Sequence, residues 1–364
     1  MRRLLKKIAV VAVAFMVTVG LVWAEDEVQR RATSVPLRGT ITGETANEIT
    51  IQRKDNGKTE TVSVHELAKI KYEGGKAAAE FTQAESLERG NEYQKASDAY
   101  AKLAQEYSSK EFLVRAANFG RANTLVRHAQ RDASKADDAI KALEDFRKQN
   151  PNSRFHYTLH EMLGQLHFSQ GNSDAAGTAF AELAKAPWPD FQLKATNYEG
   201  RLLVVGSKLD AAIGKFDEVL KSSGDSAEEK LRRFEAQVGK GECLVKQKKY
   251  DEAEKILQDV IDSCSSEETS IHAATFNLLG DLYRETGKNK DALIRYLQVH
   301  MLYSGDRNEH AKSLCYLAIL WDQLGRADRA ADIRERLKQD YPSSPWIKVM
   351  ESGAKAEPGG SGGR

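Results

Sequence analysis

One motif recurs along the whole chain, an alanine followed four residues later by a large side chain. The clearest copy is Ala292 with Tyr296, and only the last copy, Ala330, has a charged residue in the second place. A regular period of this length is typical of a solenoid, in which each repeat packs against its neighbours. The seven alanines, at intervals of 43, 37, 36, 41, 39 and 38 residues, are Ala96, Ala139, Ala176, Ala212, Ala253, Ala292 and Ala330.

Each repeat is predicted to be a pair of helices. Within Ile271–Tyr303, apolar residues recur at spacings of three and four on both sides of Gly287, as expected for two amphipathic helices joined by a turn. Gly280 and Ala292 are small residues among large ones, so they indicate where the two helices approach closely. Four repeats have a glycine twelve residues before the alanine, and three have one five residues before it. We therefore predict seven antiparallel helical hairpins.

This pattern resembles the tetratricopeptide repeat (TPR) family. Leu278–Tyr296 carries the family's Leu-Gly pair, the aromatic residue three positions later, the turn glycine, the alanine and the following aromatic residue. Met162–Phe180 matches nearly as well, and the resemblance covers residues 77–350. It implies a mainly α fold, a TPR-like α-solenoid of about seven helical hairpins. The period exceeds the family's ~34 residues, which implies longer loops and resembles TPR proteins of bacterial cell-envelope machinery.

Residues 1–24 have the pattern of a secretory signal peptide. A positive segment, residues 1–7, precedes a 15-residue apolar run, Ile8–Val22, and Ala24 fits a small-residue cleavage site. A retained membrane anchor is the alternative, although a spanning helix needs about 20 apolar residues. We predict an exported protein, periplasmic or secreted, that is membrane-bound only if this segment is uncleaved.

A small antiparallel β-module is predicted over residues 35–73, after a charged linker at residues 25–34. Four short runs alternate apolar and polar residues, and Asn56-Gly57 is a hairpin signal. A module of so few residues is only marginally stable alone. It should therefore form an SH3-like or Sm-like barrel or pack on the first helices. It could cap the solenoid or bind peptides. At the other end, residues 351–364 are rich in Gly and Ser and are predicted to be a disordered tail.

Charge and motifs exclude several functions. The formal net charge of +1 becomes −3 without the four cations of residues 1–24, which does not suggest nucleic-acid binding. No phosphate-binding glycine loop, zinc-protease motif or CxxC pair occurs, so we predict no catalytic residues, no cofactor and no enzyme activity. His156, His160 and His167 lie near one helix face and could bind Zn²⁺. His160 and His167 align with hairpin-packing positions of the family, however, and we predict no metal site.

The three cysteines, Cys243, Cys264 and Cys315, allow at most one intramolecular disulfide. An exported protein meets an oxidising compartment. Their places in the predicted hairpins do not bring Cys243 and Cys264 within the ~7 Å that a disulfide needs. Buried free thiols are therefore the favoured interpretation.

A solenoid offers an extended concave surface that holds partners. We predict a non-enzymatic exported scaffold for protein–protein interactions in cell-envelope assembly or maintenance, with a protein or peptide as partner. A membrane-tethered assembly subunit and an enzyme that uses the repeats for docking are the alternatives. The resemblance implies a groove on the exposed face of each first helix, formed by Glu161, Gln165, Phe168, Lys194, Asn197, Arg201, Glu235, Glu242, Asn277, Asp281 and Arg284.

Overall fold

A computed structural model describes residues 25–72 and 75–353. The helices of this part form seven antiparallel hairpins, which confirms the predicted α-solenoid. A short helix, α15 (Trp346–Glu351), follows them. The hairpins are α1 (Lys76–Arg89) with α2 (Tyr93–Glu106), α3 (Glu111–Arg131) with α4 (Ala136–Gln149), α5 (His156–Ser169) with α6 (Ser173–Leu183), α7 (Pro189–Val205) with α8 (Leu209–Leu220), α9 (Ala227–Lys246) with α10 (Tyr250–Ser263), α11 (Thr269–Glu285) with α12 (Asn289–Leu302), and α13 (Arg307–Gln323) with α14 (Ala327–Asp340).

Two terminal segments of the sequence prediction lie outside the described residues. They are the signal segment at residues 1–24 and residues 354–364 of the predicted tail. Glu351, where that tail was predicted to start, is the last residue of α15. Within residues 25–72 and 75–353, none of the helices has the length and hydrophobicity needed to span a membrane.

The repeat alanines mark the contact between the two helices of each hairpin. All seven lie on second helices and have 0% of their surface exposed. In three of the hairpins, the aromatic side chain one turn after the alanine packs against a glycine of the first helix of the same hairpin. A Cβ atom added at Gly164 would lie 2.3 Å from the ring of Phe180, and one at Gly280 would lie 2.7 Å from Tyr296. These glycines therefore provide the space that lets the two helices approach.

The turns between the paired helices share one backbone feature. In six hairpins, the residue five positions before the alanine has a positive φ, which glycine adopts without a steric penalty. Only three of the six are glycines, so the glycine count underestimates how regular the turns are. The six residues are Gly171, Gly287 and Gly325, with φ of 76°, 73° and 73°, and Asn91, Ser207 and Lys248, with φ of 64°, 57° and 61°.

In the described part of the chain, five antiparallel strands precede the helices: β1 (Asp26–Arg30), β2 (Leu37–Glu44), β3 (Glu48–Arg53), β4 (Thr59–Ser63) and β5 (Leu67–Lys71). Their order in the sheet is β4-β3-β2-β1-β5. The predicted linker at residues 25–34 is wrong, because Asp26–Arg30 is a strand that pairs with both β2 and β5. Val28 is the one buried residue of this strand, and the polar residues around it are half-buried. The segment therefore lacks the alternation of apolar and polar residues that predicts a strand.

The sheet packs along the edge of the solenoid where several first helices begin. Its apolar core is continuous with Ala77 of α1 and with Leu113 and Ala116 of α3. The Glu44 side chain is 1% exposed and lies 3.0 Å from Nη1 of Arg115 and 3.4 Å from Nε of Arg154. This is the packing on the first helices that was one of the two predicted arrangements. Contacts further along the same edge join His65 to Asp190 at 2.9 Å and Arg31 to Glu228 at 3.4 Å.

A chain of hydrogen bonds connects the last two hairpins. Nη1 of Arg336 lies 3.2 Å from Nε2 of His300, Nδ1 of His300 lies 2.7 Å from Nε2 of His310, and Nδ1 of His310 lies 2.6 Å from the Tyr341 hydroxyl. Because arginine can only donate, each histidine accepts at Nε2 and donates from Nδ1, and both are neutral. Burial and the neighbouring His300 lower the pKa of His310 to about 4. The other charged groups acting on it are Arg336, Asp340 and Arg307.

Candidate partner-binding groove

A cavity of about 550 Å³ extends across four consecutive hairpins. It is lined by the first helices α7, α9, α11 and α13 and, at its end, by α15. We call this cavity the groove. Its lining combines charged and apolar side chains. The charged residues are Lys194, Arg201, Lys246, Arg284 and Lys312 with Glu235, Glu242, Asp281, Asp306 and Glu309, and the apolar ones include Val238, Val245, Ile271, Leu278, Tyr316 and Trp346.

Seven of the eleven residues predicted for partner binding line the groove, namely Lys194, Asn197, Arg201, Glu235, Glu242, Asp281 and Arg284. Glu161 and Gln165 instead line a second cavity of about 380 Å³ between α3 and α5. Phe168 is half-buried and packs near Phe180 in the core of the third hairpin. Asn277 lines neither cavity.

Two asparagines of the predicted surface connect adjacent repeats. Asn277 is 0% exposed, and its Nδ2 donates to the backbone oxygen of Glu309 at 2.8 Å and to its carboxylate at 2.7 Å. Asn197 is 4% exposed and donates to the backbone oxygen of Arg232 at 2.8 Å and to the Glu235 carboxylate at 3.2 Å. The prediction that these side chains are exposed is wrong, because the next first helix covers them.

Asp281 is the centre of a buried polar network in the groove wall. Its carboxylate accepts hydrogen bonds from the Tyr296 hydroxyl at 2.7 Å and from Nζ of Lys312 at 2.6 Å. Burial alone would lower the pKa of Lys312, but the carboxylates of Asp281 and Glu309 outweigh it and raise that pKa. Lys312 therefore stays charged, and the pair fixes α11 against α13.

The two arginines predicted to bind a partner differ in exposure. Arg201 is exposed, with its guanidinium 5.7 Å from the centre of the Phe168 ring. Arg284 was also expected to point to solvent, but only 14% of its side chain is exposed. Its guanidinium lies 4.5 Å from the centre of the Tyr316 ring, which holds the arginine against the groove wall.

Several buried polar atoms of the groove have no hydrogen-bond partner. They are Nε and Nη2 of Arg284, Nε1 of Trp346 and Oδ1 of Asn197. The carboxylates nearest to Arg284 are 3.6 and 3.8 Å away, beyond good hydrogen-bond distance. Buried polar groups are normally paired. All three residues line the groove.

Part of the groove was missed by sequence reasoning. Lys312 and Tyr316 come from α13, where Ala318 takes the place of the repeat glycine twelve residues before Ala330. Trp346 comes from α15, which was not recognised as a separate helix. A signal existed, because Trp346 and Met350 are one helical turn apart just after Pro345, and both are buried.

The three cysteines are free and buried, as predicted. Burial raises the pKa of Cys243 to about 12, that of Cys264 to about 11 and that of Cys315 to about 12. The reactive thiolate form is therefore scarce at neutral pH.

Sequence models of the tetratricopeptide repeat match three parts of the chain, residues 78–109, 128–190 and 232–303. The chain belongs to the TPR family. A solved tetratricopeptide repeat protein from Parabacteroides merdae ATCC 43184 is similar, with 16% identity and a TM-score of 0.51 over 76% of this chain and 98% of that one. A Rap protein complexed with competence and sporulation factor is similar at 12% identity and a TM-score of 0.52, over 75% of this chain and 79% of that one. A comparison with curated proteins found no match.

Proposed function

We propose that this TPR protein is a non-enzymatic scaffold whose groove binds a peptide or an extended segment of a partner protein. The observation that carries the proposal is the pairing of apolar lining residues with buried polar atoms that lack a hydrogen-bond partner, at Arg284, Trp346 and Asn197. A peptide supplies apolar side chains together with backbone donors and acceptors, so it satisfies both requirements at once.

The charges of the groove favour a partner that carries both positive and negative groups. Its five cations and five carboxylates balance, whereas a nucleic-acid site needs an excess of cations for the phosphates. Several charges are already paired within the wall, as Lys312 is with Asp281. Arg201 is exposed and is the residue we expect to contact a carboxylate or a carbonyl of the partner. The similar Rap protein was solved in complex with a factor, which is in keeping with a ligand-binding solenoid.

The signal-peptide pattern of residues 1–24 supports a location outside the cytoplasm, with a role in cell-envelope assembly or maintenance. Intact-mass measurement of the protein from fractionated cells tests this part. A mature chain that begins at Glu25 in the periplasmic or secreted fraction is expected. Recovery of the uncleaved chain in the membrane fraction would instead support the membrane-tethered alternative.

Peptide display against the full-length chain, followed by measurement of the dissociation constant, tests the groove. Arg201→Ala combined with Arg284→Ala should weaken the selected peptide at least tenfold, or roughly 1.4 kcal/mol. Lys255→Ala is the control, because this lysine is exposed on the second helix α10. Hydrogen exchange of the complex should show protection in α7, α9 and α11. Protection confined to β1–β5, with normal affinity of the double variant, would make the sheet the binding element and refute the proposal.

A further inference from the structure

Two histidines and a carboxylate meet in the third hairpin, away from the groove. His156 is the first residue of α5, and His160 lies one turn later on the same face. Glu182 reaches the same place from α6, the antiparallel partner of α5. One nitrogen or oxygen atom from each of the three side chains lies within 4.8 Å of the other two. The third histidine of the sequence motif, His167, is not part of this cluster.

A second observation points to a missing partner at the same place. The His160 side chain is 3% exposed, and its Nδ1 is buried without a hydrogen-bond partner. Leaving a polar group in this state costs about 1–3 kcal/mol. Burial, with smaller effects of His156 and Arg147, lowers the pKa of His160 to about 4. The imidazole is therefore neutral at pH 7 and keeps a lone pair that can bind a metal ion.

We propose that His156, His160 and Glu182 bind one divalent transition-metal ion of the Zn²⁺ class, with water in the remaining position. Two imidazoles and one carboxylate are a donor set that Zn²⁺ takes in proteins, with bonds of about 2.0–2.1 Å. Tetrahedral geometry would bring the donor atoms to about 3.3 Å from one another. His156 and Glu182 are only half-buried, so their side chains can close this gap by changing rotamer. The sequence analysis predicted no metal site because His160 and His167 align with hairpin-packing positions. Glu182 adds a ligand from a second helix to the two histidines of α5.

One lysine competes directly with the ion. Nζ of Lys185 lies 2.6 Å from Oε1 of Glu182, and 65% of the lysine side chain is exposed. Metal binding must displace this ammonium, which can move into solvent. Removing its charge should therefore strengthen metal binding. A purely structural role for the histidines gives no reason for such an effect, so Lys185 separates the two interpretations.

The test uses the full-length chain, stripped with a chelator and then titrated with Zn²⁺ by calorimetry and with Co²⁺ by absorption spectroscopy. We expect one ion per chain. Glu182→Gln and His160→Gln should each weaken binding at least tenfold, whereas Lys185→Gln should tighten it several-fold. His167→Gln is the matched control on the same helix, and it should leave the affinity unchanged.

Glu182→Gln decides the question if the buried His160 variant fails to fold, because Glu182 is half-buried at the rim of the cluster. Circular dichroism shows whether each variant is folded. The proposal is overturned if the wild-type chain binds no Zn²⁺ at micromolar concentrations. It is equally overturned if folded Glu182→Gln binds as tightly as wild type, since the ions would then be held elsewhere.

Discussion

The contact between Gly164 and Phe180 determines how closely α5 and α6 approach. The substitution Gly164→Ala, which adds a single methyl group, tests this contact. In Gly164→Ala the new Cβ atom would lie 2.3, 2.6 and 2.7 Å from three atoms of the Phe180 ring. That ring is fully buried, so the helices themselves must shift. Overpacking of this kind costs about 1–3 kcal/mol. Alanine gains up to about 1 kcal/mol over glycine inside a helix, which leaves a net loss of up to about 2 kcal/mol.

The same substitution at Gly214 is the matched control. This glycine lies in the middle of α8, is exposed, and has no neighbour within 4 Å of the added Cβ atom. Gly214→Ala should therefore raise the free energy of unfolding by about 0.5–1 kcal/mol. Urea denaturation followed by circular dichroism should show the two midpoints moving in opposite directions, and Phe180→Leu should reduce the effect of Gly164→Ala. If Gly164→Ala stabilises the protein as Gly214→Ala does, the close-contact account of the repeat glycine is refuted.

Three further predictions concern other contacts. The pKa of His310 is about 4 in the folded chain and 6.5 in the unfolded chain. Between these pH values the unfolded chain binds more protons than the folded one. The free energy of unfolding should therefore fall as the pH drops, by on the order of 3 kcal/mol in total. His310→Gln should make that fall shallower in denaturation series at several pH values. Lys248→Gly should raise the melting temperature slightly and Gly287→Ala should lower it, since both positions have positive φ. Glu44→Gln should cost roughly 2 kcal/mol and speed hydrogen exchange in β2, because it removes the buried carboxylate that Arg115 and Arg154 share.

The helical hairpins were predictable because their packing depends on residue size at fixed positions. An alanine with an aromatic residue one turn later, opposite a glycine, satisfies local helix periodicity and the contact between helices together. Ala292, Tyr296 and Gly280 therefore appear in the sequence as a visible pattern and in the structure as a buried contact. Local and tertiary preferences agree at these positions.

Features that depend on distant pairing were not predictable in the same way. β1 is a strand because β2 and β5 lie on both sides of it, and its own residues show only Val28 as a core position. The burial of Asn277 likewise depends on α13, more than thirty residues away. Position on a helix face predicts which direction a side chain points, but the neighbouring repeat decides whether solvent or protein lies there.

The repeat register nevertheless shows which positions carry specificity. Asn197 and Asn277 lie three residues before the glycine of their first helices, and each forms a hydrogen bond to the next repeat. Side chains at this position therefore hold neighbouring repeats together. One residue after the glycine, Arg201, Glu242 and Asp281 all line the groove. Their charges are positive, negative and negative in that order along the solenoid. A partner that follows the first helices would therefore meet a positive group at α7 and negative groups at α9 and α11. Complementary charges, acidic toward α7 and basic toward α9 and α11, favour one direction of binding over the other.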